Sequence, residues 1–365
     1  MEQERGPVVH ILPFDLDRGA QRYARALVDR LDSPEERHLI LTLFSSDPVV
    51  LRADLELGVP QGWWRRAGVD PRVVTRLRRA LRDIDPAVVV AHGGEPAKYA
   101  ALASSHDLPI VYLSIGSVHP NLGRYPSRAL HRFYVGRADV LVAVSTDVAE
   151  EARVLHGLPP ERVVVIHNGR DPDVFRPREA RPEGPVRLIF VGHLDDGKRP
   201  DRFIRLVEAV RRHGFEVEAQ MVGEGPLSNK IRPSAESAGV VMLGRRDDVP
   251  TLLSASDVLV LTSRPPEGMP GVLIEAGLSG IPAVSTKIPG AGDVIDDGVT
   301  GLLVGTDNFD GLVEAVERLI RDPGLRATMG ARAREICQQR FTLEVTTDRW
   351  RDLLNDRARK SDAGS

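Results

Sequence analysis

The chain has 365 residues, of which 42% are hydrophobic, and this length is enough for about two domains because single cores rarely grow beyond roughly 250–300 residues. Its 49 lysines and arginines and 52 aspartates and glutamates give a formal charge of -3, so the balance requires no nucleic-acid partner. Cys337 is the only cysteine, which excludes an intrachain disulfide and a cysteine-rich metal site. The opening MEQERGPVV lacks a signal pattern, and no apolar stretch approaches the roughly 20 residues that span a bilayer. We therefore expect a soluble, cytoplasmic protein.

Short, apolar, β-branched runs alternate with longer helical patterns along the chain. Six such runs come before residue 170: PVVHIL, HLILTLF, AVVVA, PIVYLS, DVLVAV and RVVVI. Six more follow: VRLIFV, EVEAQMV, GVVML, DVLVLT, IPAVS and GLLV. Runs that are too short for helices and do not alternate with polar residues are typical of parallel strands covered on both faces. The pattern predicts an α/β fold with two parallel sheets.

A segment rich in proline, glycine and charge separates the two sets of runs and predicts an interdomain linker. We expect a first domain at residues 1–170, the linker at 171–185 and a second domain at 186–340. The echo between DVLVAVS and DVLVLTS supports two similar domains, although common strand composition would also explain it. After Asn308 the pattern becomes helical, and a last helix around Trp350, followed by a frayed tail, occupies 341–365.

In an open parallel sheet, ligands bind at the carboxyl ends of the strands, where loops lead into helices. Gly19, after the first strand, would let the backbone pass close to a ligand, with a helix beginning near Ala20. Lys198 stands at a predicted helix start, where its charge opposes the helix dipole unless an anion lies between them, and this indicates phosphate. His193 could donate to the same anion, and Arg245 could contact a base or ribose. A plain turn at Gly19 and solvated side chains at the other positions are the alternatives.

The stretch PEGMPGVLIEAG, residues 266–277, carries two carboxylates after the strand DVLVLT. Pro270 favours a helix that begins close by, so we expect Glu267 in the loop and Glu275 about one turn inside the helix. Eight residues of helix rise about 12 Å, comparable to the distance from a sugar ring across a diphosphate to a ribose. The spacing suggests that the two carboxylates hold hydroxyls at both ends of one ligand. The alternative is a carboxylate favoured by the helix dipole and an ordinary polar helix position.

Other motifs carry less weight. Three Asp-x-Asp pairs could hold a metal diphosphate, but the acidic content makes chance the better explanation. No HExxH or GxSxG occurs, which disfavours zinc proteases and serine hydrolases, and no GxGxxG follows the first strand, which weakens a dehydrogenase reading. The basic stretch from Trp63 to Arg82 could make a weak contact with an anionic membrane surface, although a solvated helix face explains it better.

Taken together, the loops resemble the retaining glycosyltransferases of family 4, which have the GT-B fold. The resemblance is strongest from Val186 to Val304, where FVGHLDDGKRPDRFIRLVEAV, MVGEGPL, VMLG, SDVLVLTSRPPEGMPGVLIEAGLSGIPAVST and GVTGLLV follow the family's order. In the first half, VVHILPFDLDRGAQRYARAL and VVVIHNGRDPDVFRP are similar to the family's glycine-containing loop and asparagine-glycine turn. The resemblance implies an α/β fold of two Rossmann-like domains, with parallel sheets facing across a cleft and a final helix that crosses back toward the first domain.

The resemblance also implies transfer of a sugar, with retention, from a nucleoside diphosphate sugar to a hydroxyl- or amine-bearing acceptor. That acceptor would be a small molecule, a glycan or a lipid-linked group, and neither a metal nor a cofactor would be needed. Lys198 would neutralise the diphosphate, Glu267 would bind sugar hydroxyls and Glu275 would hold the ribose. Gly19 would let the first domain close on the phosphates, and the backbone near Arg245 would meet the base. The backbone expected to face sugar and phosphate belongs to Gly268, Met269, Pro270, Gly271 and Val272.

The chain departs from the family's pattern at several positions. His193 stands where an arginine is usual, and Ile115 stands where a histidine often follows the strand PIVYLS. His119, Ser117 or His92 could take the place of that histidine in catalysis. Two other functions therefore stay open, namely a GT-B epimerase or hydrolase that acts on the nucleotide sugar itself, and a nucleotide-sugar binding protein without catalysis.

Overall fold

The computed structural model describes residues 6–15, 19–45, 53–60, 62, 68–116, 127–178 and 184–362. The chain divides into two compact units, which we call the first unit (Met1–Asn168 with Thr346–Ser365) and the second unit (Gly169–Val345). Each unit is built on its own parallel sheet, as the apolar runs predict.

The first unit contains a seven-stranded sheet in the order β3-β2-β1-β4-β5-β6-β7, and all its neighbouring strands are parallel. Its strands are β1 (Val8–Leu12), β2 (His38–Phe44), β3 (Leu55–Val59), β4 (Val88–His92), β5 (Ile110–Ser114), β6 (Val140–Ala143) and β7 (Val163–Val165). The helices between them are α1 (Gly19–Leu31), α2 (Pro71–Ile84), α3 (Gly94–Ala103), α4 (Ser127–Arg137) and α5 (Thr146–His156).

The second unit contains a six-stranded parallel sheet in the order β10-β9-β8-β11-β12-β13. Its strands are β8 (Val186–Val191), β9 (Val217–Val222), β10 (Val240–Gly244), β11 (Val258–Leu261), β12 (Ala283–Thr286) and β13 (Gly301–Val304). Its helices are α6 (Pro200–Arg212), α7 (Ser228–Ser237), α8 (Val249–Ser254), α9 (Gly271–Leu278), α10 (Ala291–Val294), α11 (Phe309–Arg321) and α12 (Pro323–Arg340).

All twelve predicted strands are present, but the expected six strands of the first half are seven. The additional strand, Leu55–Val59, lies at the edge of the sheet, and four of its five residues are not buried. Its sequence, LELGV, contains a glutamate and a glycine, so it lacks the continuous apolar run that marks the other strands. An edge strand needs apolar side chains only where it faces the core, and the criterion of a fully apolar run missed it for that reason.

The strand order reverses once in each sheet, between β1 and β4 and between β8 and β11. This is the order of a doubly wound fold, in which consecutive strands are added first on one side and then on the other. The loops that leave the carboxyl ends of the two central strands diverge at this point and leave a crevice between them. A ligand site is therefore expected at the loops after β1, β4, β8 and β11.

The expected linker and the last helix both pack within the units. Part of the expected linker, residues 171–178, belongs to the second unit, where Arg334 of α12 donates to the carbonyl of Phe175 (3.4 Å). The last helix, α13 (Leu343–Asp362), lies mostly in the first unit, where the buried Trp350 donates through Nε1 to the Tyr23 hydroxyl (3.2 Å).

The arginines of α2 are partly engaged in contacts within the first unit. Arg72 pairs with the N-cap residue Asp70 and lowers the pKa of that carboxyl through a side-chain hydrogen bond (2.7 Å). Arg76 donates to the carbonyl of Leu57 (2.7 Å). Residues 63–67 lie outside the described part of the chain, so the membrane contact expected for this stretch stays a prediction.

Three buried histidines form a hydrogen-bonded chain across the first sheet. Nδ1 of His10 lies 3.0 Å from Nε2 of His92, and Nε2 of His10 lies 3.0 Å from Nδ1 of His38. Burial lowers the pKa of His92 to about 4. Burial, together with the nearby His92 and His38, holds the pKa of His10 well below its ordinary value. The protonated forms of His10 and His92 are therefore disfavoured near pH 7. The hydrogen bonds of the three histidines link β1, β4 and β2.

This histidine chain predicts a loss of stability of the first unit in mild acid. A pKa that is depressed in the folded state means that the unfolded chain takes up the proton first, so stability is complete above about pH 6.5 and falls toward pH 4. Each such histidine contributes a slope of about 1.4 kcal/mol per pH unit. We expect His92→Gln to lower the slope of the unfolding free energy against pH by about 1.4 kcal/mol per pH unit, the contribution of one proton.

Urea unfolding between pH 7.5 and 5, followed by intrinsic fluorescence, tests this expectation, because Trp350 is buried in the first unit. His106→Gln is the matched control, since the His106 side chain is 97% exposed. Equal slopes for His92→Gln and the unmodified protein would contradict the prediction.

Candidate functional site

The central feature of the second unit is an ion pair between Lys198 and Glu267. Lys198 lies in the loop after β8, and its Nζ hydrogen-bonds to Oε1 of Glu267 in the loop after β11. The two side chains are 23% and 16% exposed, so the pair is partly buried but still reachable. Because β8 and β11 are neighbours where the strand order reverses, the pair lies at the position where doubly wound folds bind ligands.

The loop that carries Lys198 is held by side chains that the sequence analysis did not single out. Oδ1 of Asp195 accepts hydrogen bonds from the N–H groups of Gly197 and Lys198, both at 3.0 Å, in a turn typical of aspartate. The Thr262 hydroxyl donates to the carbonyls of Lys198 (3.0 Å) and Arg199 (2.8 Å). The local signal was the Asp-x-Gly spacing before Lys198, whereas the part played by Thr262 depends on the contact between two strands.

The helix of the two-carboxylate stretch begins later than the 12 Å estimate assumed. The α9 helix starts at Gly271, and Pro270 before it is extended (φ -70, ψ 102). Between Glu267 and Glu275, only the residues from Gly271 onward are helical. The helical rise over eight residues is therefore a wrong measure of the distance between the two carboxylates. A proline lacks an N–H and restricts the residue before it to extended conformations, which explains why the loop continues up to residue 270. The expected positions of Glu267 in the loop and Glu275 inside the helix are confirmed.

Each carboxylate of this stretch is paired with a cation. Glu275 accepts a hydrogen bond through Oε1 from Nε of Arg170 (2.7 Å), and these side chains are 17% and 18% exposed. Arg170 precedes the second sheet by 16 residues in the sequence and was not among the predicted site residues. No signal in the sequence pairs the two, because they are 105 residues apart.

The glycines of VGEGP serve close contact between backbones. Gly223 has a φ of 133°, and a Cβ there would lie 1.9 Å from the carbonyl oxygen of Gly192. A Cβ on Gly225 would lie 2.5 Å from the carbonyl oxygen of Leu194. The backbone N–H of Leu194 donates to the carbonyl of Glu224 (3.0 Å), so the two loops continue the pairing of β8 with β9. This stretch therefore supports the loop that carries Lys198 from behind.

The other residues predicted for the second unit lie at the same edge of the sheet. His193 is exposed in the loop of Lys198, and Arg245 is exposed directly after β10. Gly268, Met269 and Pro270 are buried in the loop after Glu267. Gly271 and Val272 are the first two residues of α9. The arrangement brings together an amine, two carboxylates, a guanidinium and the amino end of a helix.

The residues predicted for the first unit are placed differently from one another. Gly19 is the exposed first residue of α1, and a Cβ there would meet nothing within 4 Å. His92, at the carboxyl end of β4, is only 4% exposed and is hydrogen-bonded to His10 in the buried chain described above. His119 and Ser117 lie outside the described residues, and their expected roles stay predictions.

The described residues show neither a cluster suited to a metal ion nor a helix suited to a membrane. No group of three or more histidine, cysteine, aspartate or glutamate side chains in that part of the chain could hold a metal ion. Within the same residues, no helix combines the length and the hydrophobicity needed to cross a membrane.

Comparison with known families accounts for most of the chain. A family model described as glycosyl transferases group 1 matches residues 171–336, and a model described as glycosyltransferase family 4 matches residues 18–174. The chain belongs to glycosyltransferase family 4. Lys198, Glu267 and Glu275 all fall inside the first of these matches.

Curated relatives match the chain over part of their length. An N-acetyl-alpha-D-glucosaminyl L-malate synthase of Bacillus anthracis is 29% identical over 250 residues, which are 64% of each chain. A D-inositol 3-phosphate glycosyltransferase of Kribbella flavida is 31% identical over 237 residues, 58% of this chain and 55% of the relative. The match thus spans between about half and two thirds of these relatives.

Solved structures of other proteins share the fold. The Anabaena protein HepE, in complex with UDP-glucose, aligns with a TM-score of 0.80 at 21% identity, covering 96% of this chain and 100% of HepE. A sucrose-phosphate synthase from Thermosynechococcus elongatus aligns with a TM-score of 0.82 at 18% identity, covering 99% and 100%. The fold is GT-B, with two Rossmann-like domains, as the resemblance implied.

The loop that carries Glu267 depends on a glycine of the neighbouring loop. Gly290, before α10, has a φ of 76°, and a Cβ there would lie 2.4 Å from the carbonyl oxygen of Gly268. We expect Gly290→Ala to destabilise the second unit by roughly 1–3 kcal/mol, through backbone strain and displacement of that loop. Thermal unfolding followed by circular dichroism measures the effect.

Gly292→Ala is the matched control, because Gly292 lies two residues further on, inside α10, and a Cβ there would meet nothing within 4 Å. The prediction fails if the two alanine variants unfold at the same temperature.

Proposed function

We propose that this chain transfers a sugar from a nucleoside diphosphate sugar to a hydroxyl-bearing acceptor, with retention of configuration and without a metal or a cofactor. The observation that carries the proposal is the Lys198–Glu267 pair at the point where the strand order of the second sheet reverses. An amine and a carboxylate side by side suit a ligand that has an anionic part next to hydroxyls. A sugar diphosphate has both.

Lys198 would bind the diphosphate and Glu267 the sugar hydroxyls. The ammonium of a lysine has three donors, and its contact with Glu267 uses one of them, so the others are available for phosphate oxygens. The amino end of α9 starts without a side-chain cap among the described residues, which leaves backbone N–H groups for an anion. Glu275 would hold the ribose, and the backbone near Arg245 would meet the base.

Retention is proposed through front-face displacement, in which an oxygen of the donor phosphate takes the proton of the acceptor hydroxyl. No dedicated base from the protein is then needed, and electrostatic stabilisation of the departing diphosphate is the largest contribution of the site. The ring of His92 is buried and hydrogen-bonded to His10. This placement is consistent with a scheme in which no histidine acts as a base.

The choice of substrates is drawn from the relatives. HepE was solved with UDP and with UDP-glucose, so a uridine diphosphate sugar is the first donor to test. The relatives named for L-malate and for D-inositol 3-phosphate suggest a small acceptor that carries a hydroxyl and an acidic group. An amine-bearing, glycan or lipid-linked acceptor and the cytoplasmic location expected from the sequence remain part of the wider proposal.

Replacing the lysine of the ion pair should abolish most of the transfer. We expect Lys198→Ala to lower kcat/KM by about 10²–10³, because it removes the charge that stabilises the departing diphosphate. Initial rates are measured with a panel of UDP-, GDP-, ADP- and dTDP-sugars and hydroxyl-bearing acceptors, and circular dichroism checks the fold. Lys230→Ala is the control, since Lys230 is an exposed lysine of the same unit. Full activity in Lys198→Ala would exclude the role given to this side chain.

The stereochemical and metal expectations are tested on the same reaction. Proton NMR of the first product should show the anomeric configuration of the donor, and the rate in excess EDTA should equal the rate without it. An inverted product would refute retention, and a rate lost in EDTA and restored by a divalent cation would refute metal independence. Release of free sugar or of an epimerised donor without any acceptor product would refute the transferase itself.

A further inference from the structure

We propose that Arg170 is a positioning residue of the donor site, which orients the carboxylate of Glu275 for the ribose hydroxyls of the nucleotide. This inference rests on the proposed function and extends it to a residue outside the sheet. The discrimination between ribose and deoxyribose would then depend on Arg170, although this side chain need not contact the nucleotide.

The backbone of Arg170 is held independently of its side chain. Its N–H donates to the carbonyl of Phe341 (2.9 Å), and its own carbonyl accepts from the N–H of Leu343 (2.8 Å). These two bonds form a parallel bridge to Thr342. Neither bond uses the side chain, so a replacement other than proline tests the part played by the guanidinium.

The guanidinium is oriented by two contacts. Nε donates to Oε1 of Glu275 (2.7 Å), and Nη1 donates to the carbonyl of Gly169 (3.0 Å). The contact with Glu275 involves one carboxylate oxygen, and Oε2 has no hydrogen-bond partner within the described part of the chain. A carboxylate that is held at one oxygen can accept a hydrogen bond from a ligand hydroxyl at the other.

The first residue of α9 provides the space for this guanidinium. A Cβ on Gly271 would lie 1.9 Å from Nη2 of Arg170 and 2.9 Å from Cζ. The glycine that opens the helix is therefore needed to accommodate Arg170, in addition to any approach of its backbone to a ligand. The side chain packs across the amino end of α9 toward Glu275, which lies one turn further along.

The charge of Arg170 also suits a carboxylate that must work close to a diphosphate. A carboxylate without a partner would repel the donor's phosphates, and the positive charge of the guanidinium offsets that repulsion. The planar fork of an arginine allows contact with the carboxylate and with the Gly169 carbonyl at once, which the ammonium of a lysine does not reproduce in the same geometry. Charge and orientation can therefore be separated by experiment.

Titration calorimetry of the full chain with UDP and with 2′-deoxy-UDP tests the proposal. We expect the unmodified protein to bind UDP more tightly, and Arg170→Ala to reduce the ratio of the two affinities about tenfold, the size of one charge-assisted hydrogen bond. Loss of charge alone would weaken both nucleotides equally, so the ratio reports on the orientation of Glu275. Arg170→Lys keeps the charge and should also lower the ratio.

Two further variants complete the test. Arg176→Ala should leave the ratio unchanged, because Arg176 is an exposed arginine of the same segment that pairs with Asp173. Arg170→Ala combined with Glu275→Ala should lower the ratio no further than Glu275→Ala alone, since the arginine acts through that carboxylate.

The outcomes separate this inference from the proposed function. An unchanged ratio in both Arg170 variants, or equal binding of UDP and 2′-deoxy-UDP by the unmodified protein, would overturn the role of Arg170 and leave donor binding intact. If Arg170→Ala does not fold by circular dichroism, Arg170→Lys decides. An unmodified protein that binds none of UDP, GDP, ADP and dTDP would instead defeat the proposed function.

Discussion

The ion pair between Lys198 and Glu267 is the interaction on which the arrangement of the second unit's site depends. It joins the loops of two strands that are far apart in the sequence and adjacent in the sheet. In a partly buried ion pair, each charge needs its partner, because an unpaired charge away from water is costly. Here the Asp195 turn and the Thr262 hydroxyl hold the backbone of the Lys198 loop in place. The site is therefore ordered around opposite charges before a ligand arrives.

The pairing of charges gives the site a particular electrostatic character. Two carboxylates, those of Glu267 and Glu275, lie in a site proposed for a ligand with a diphosphate, and each is neutralised by its own cation. Such a site offers hydroxyl-binding oxygens without repelling the phosphates. It also lets Lys198 exchange or share its contact when an anion binds, at low cost, because a lysine has donors to spare. Glycines at the loop contacts, such as Gly223 and Gly290, bring the supporting backbones close enough to hold this arrangement.

Much of the fold was predictable because a strand buried on both faces must be apolar along its whole length. Within the residues that the structure describes, that rule found twelve of the thirteen strands and missed Leu55–Val59, an edge strand that is largely exposed. The same local reasoning placed Glu267 in a loop and Glu275 in a helix, since the effect of Pro270 extends only to its neighbours. It overestimated the helical part of the stretch between them, because a helix start cannot be located to the residue from composition alone.

The sequence by itself determined the α/β class, the two parallel sheets, the loops that carry Lys198 and Glu267, and the helix that carries Glu275. These features follow from short-range patterns, namely apolar runs, prolines and glycines, that act within a few residues. Only the tertiary structure decided which charges meet: Lys198 with Glu267, and Arg170 with Glu275 across 105 residues. Ion pairs depend on distances of a few ångströms in space, and strand order and loop packing bring such residues together without leaving a local mark in the sequence.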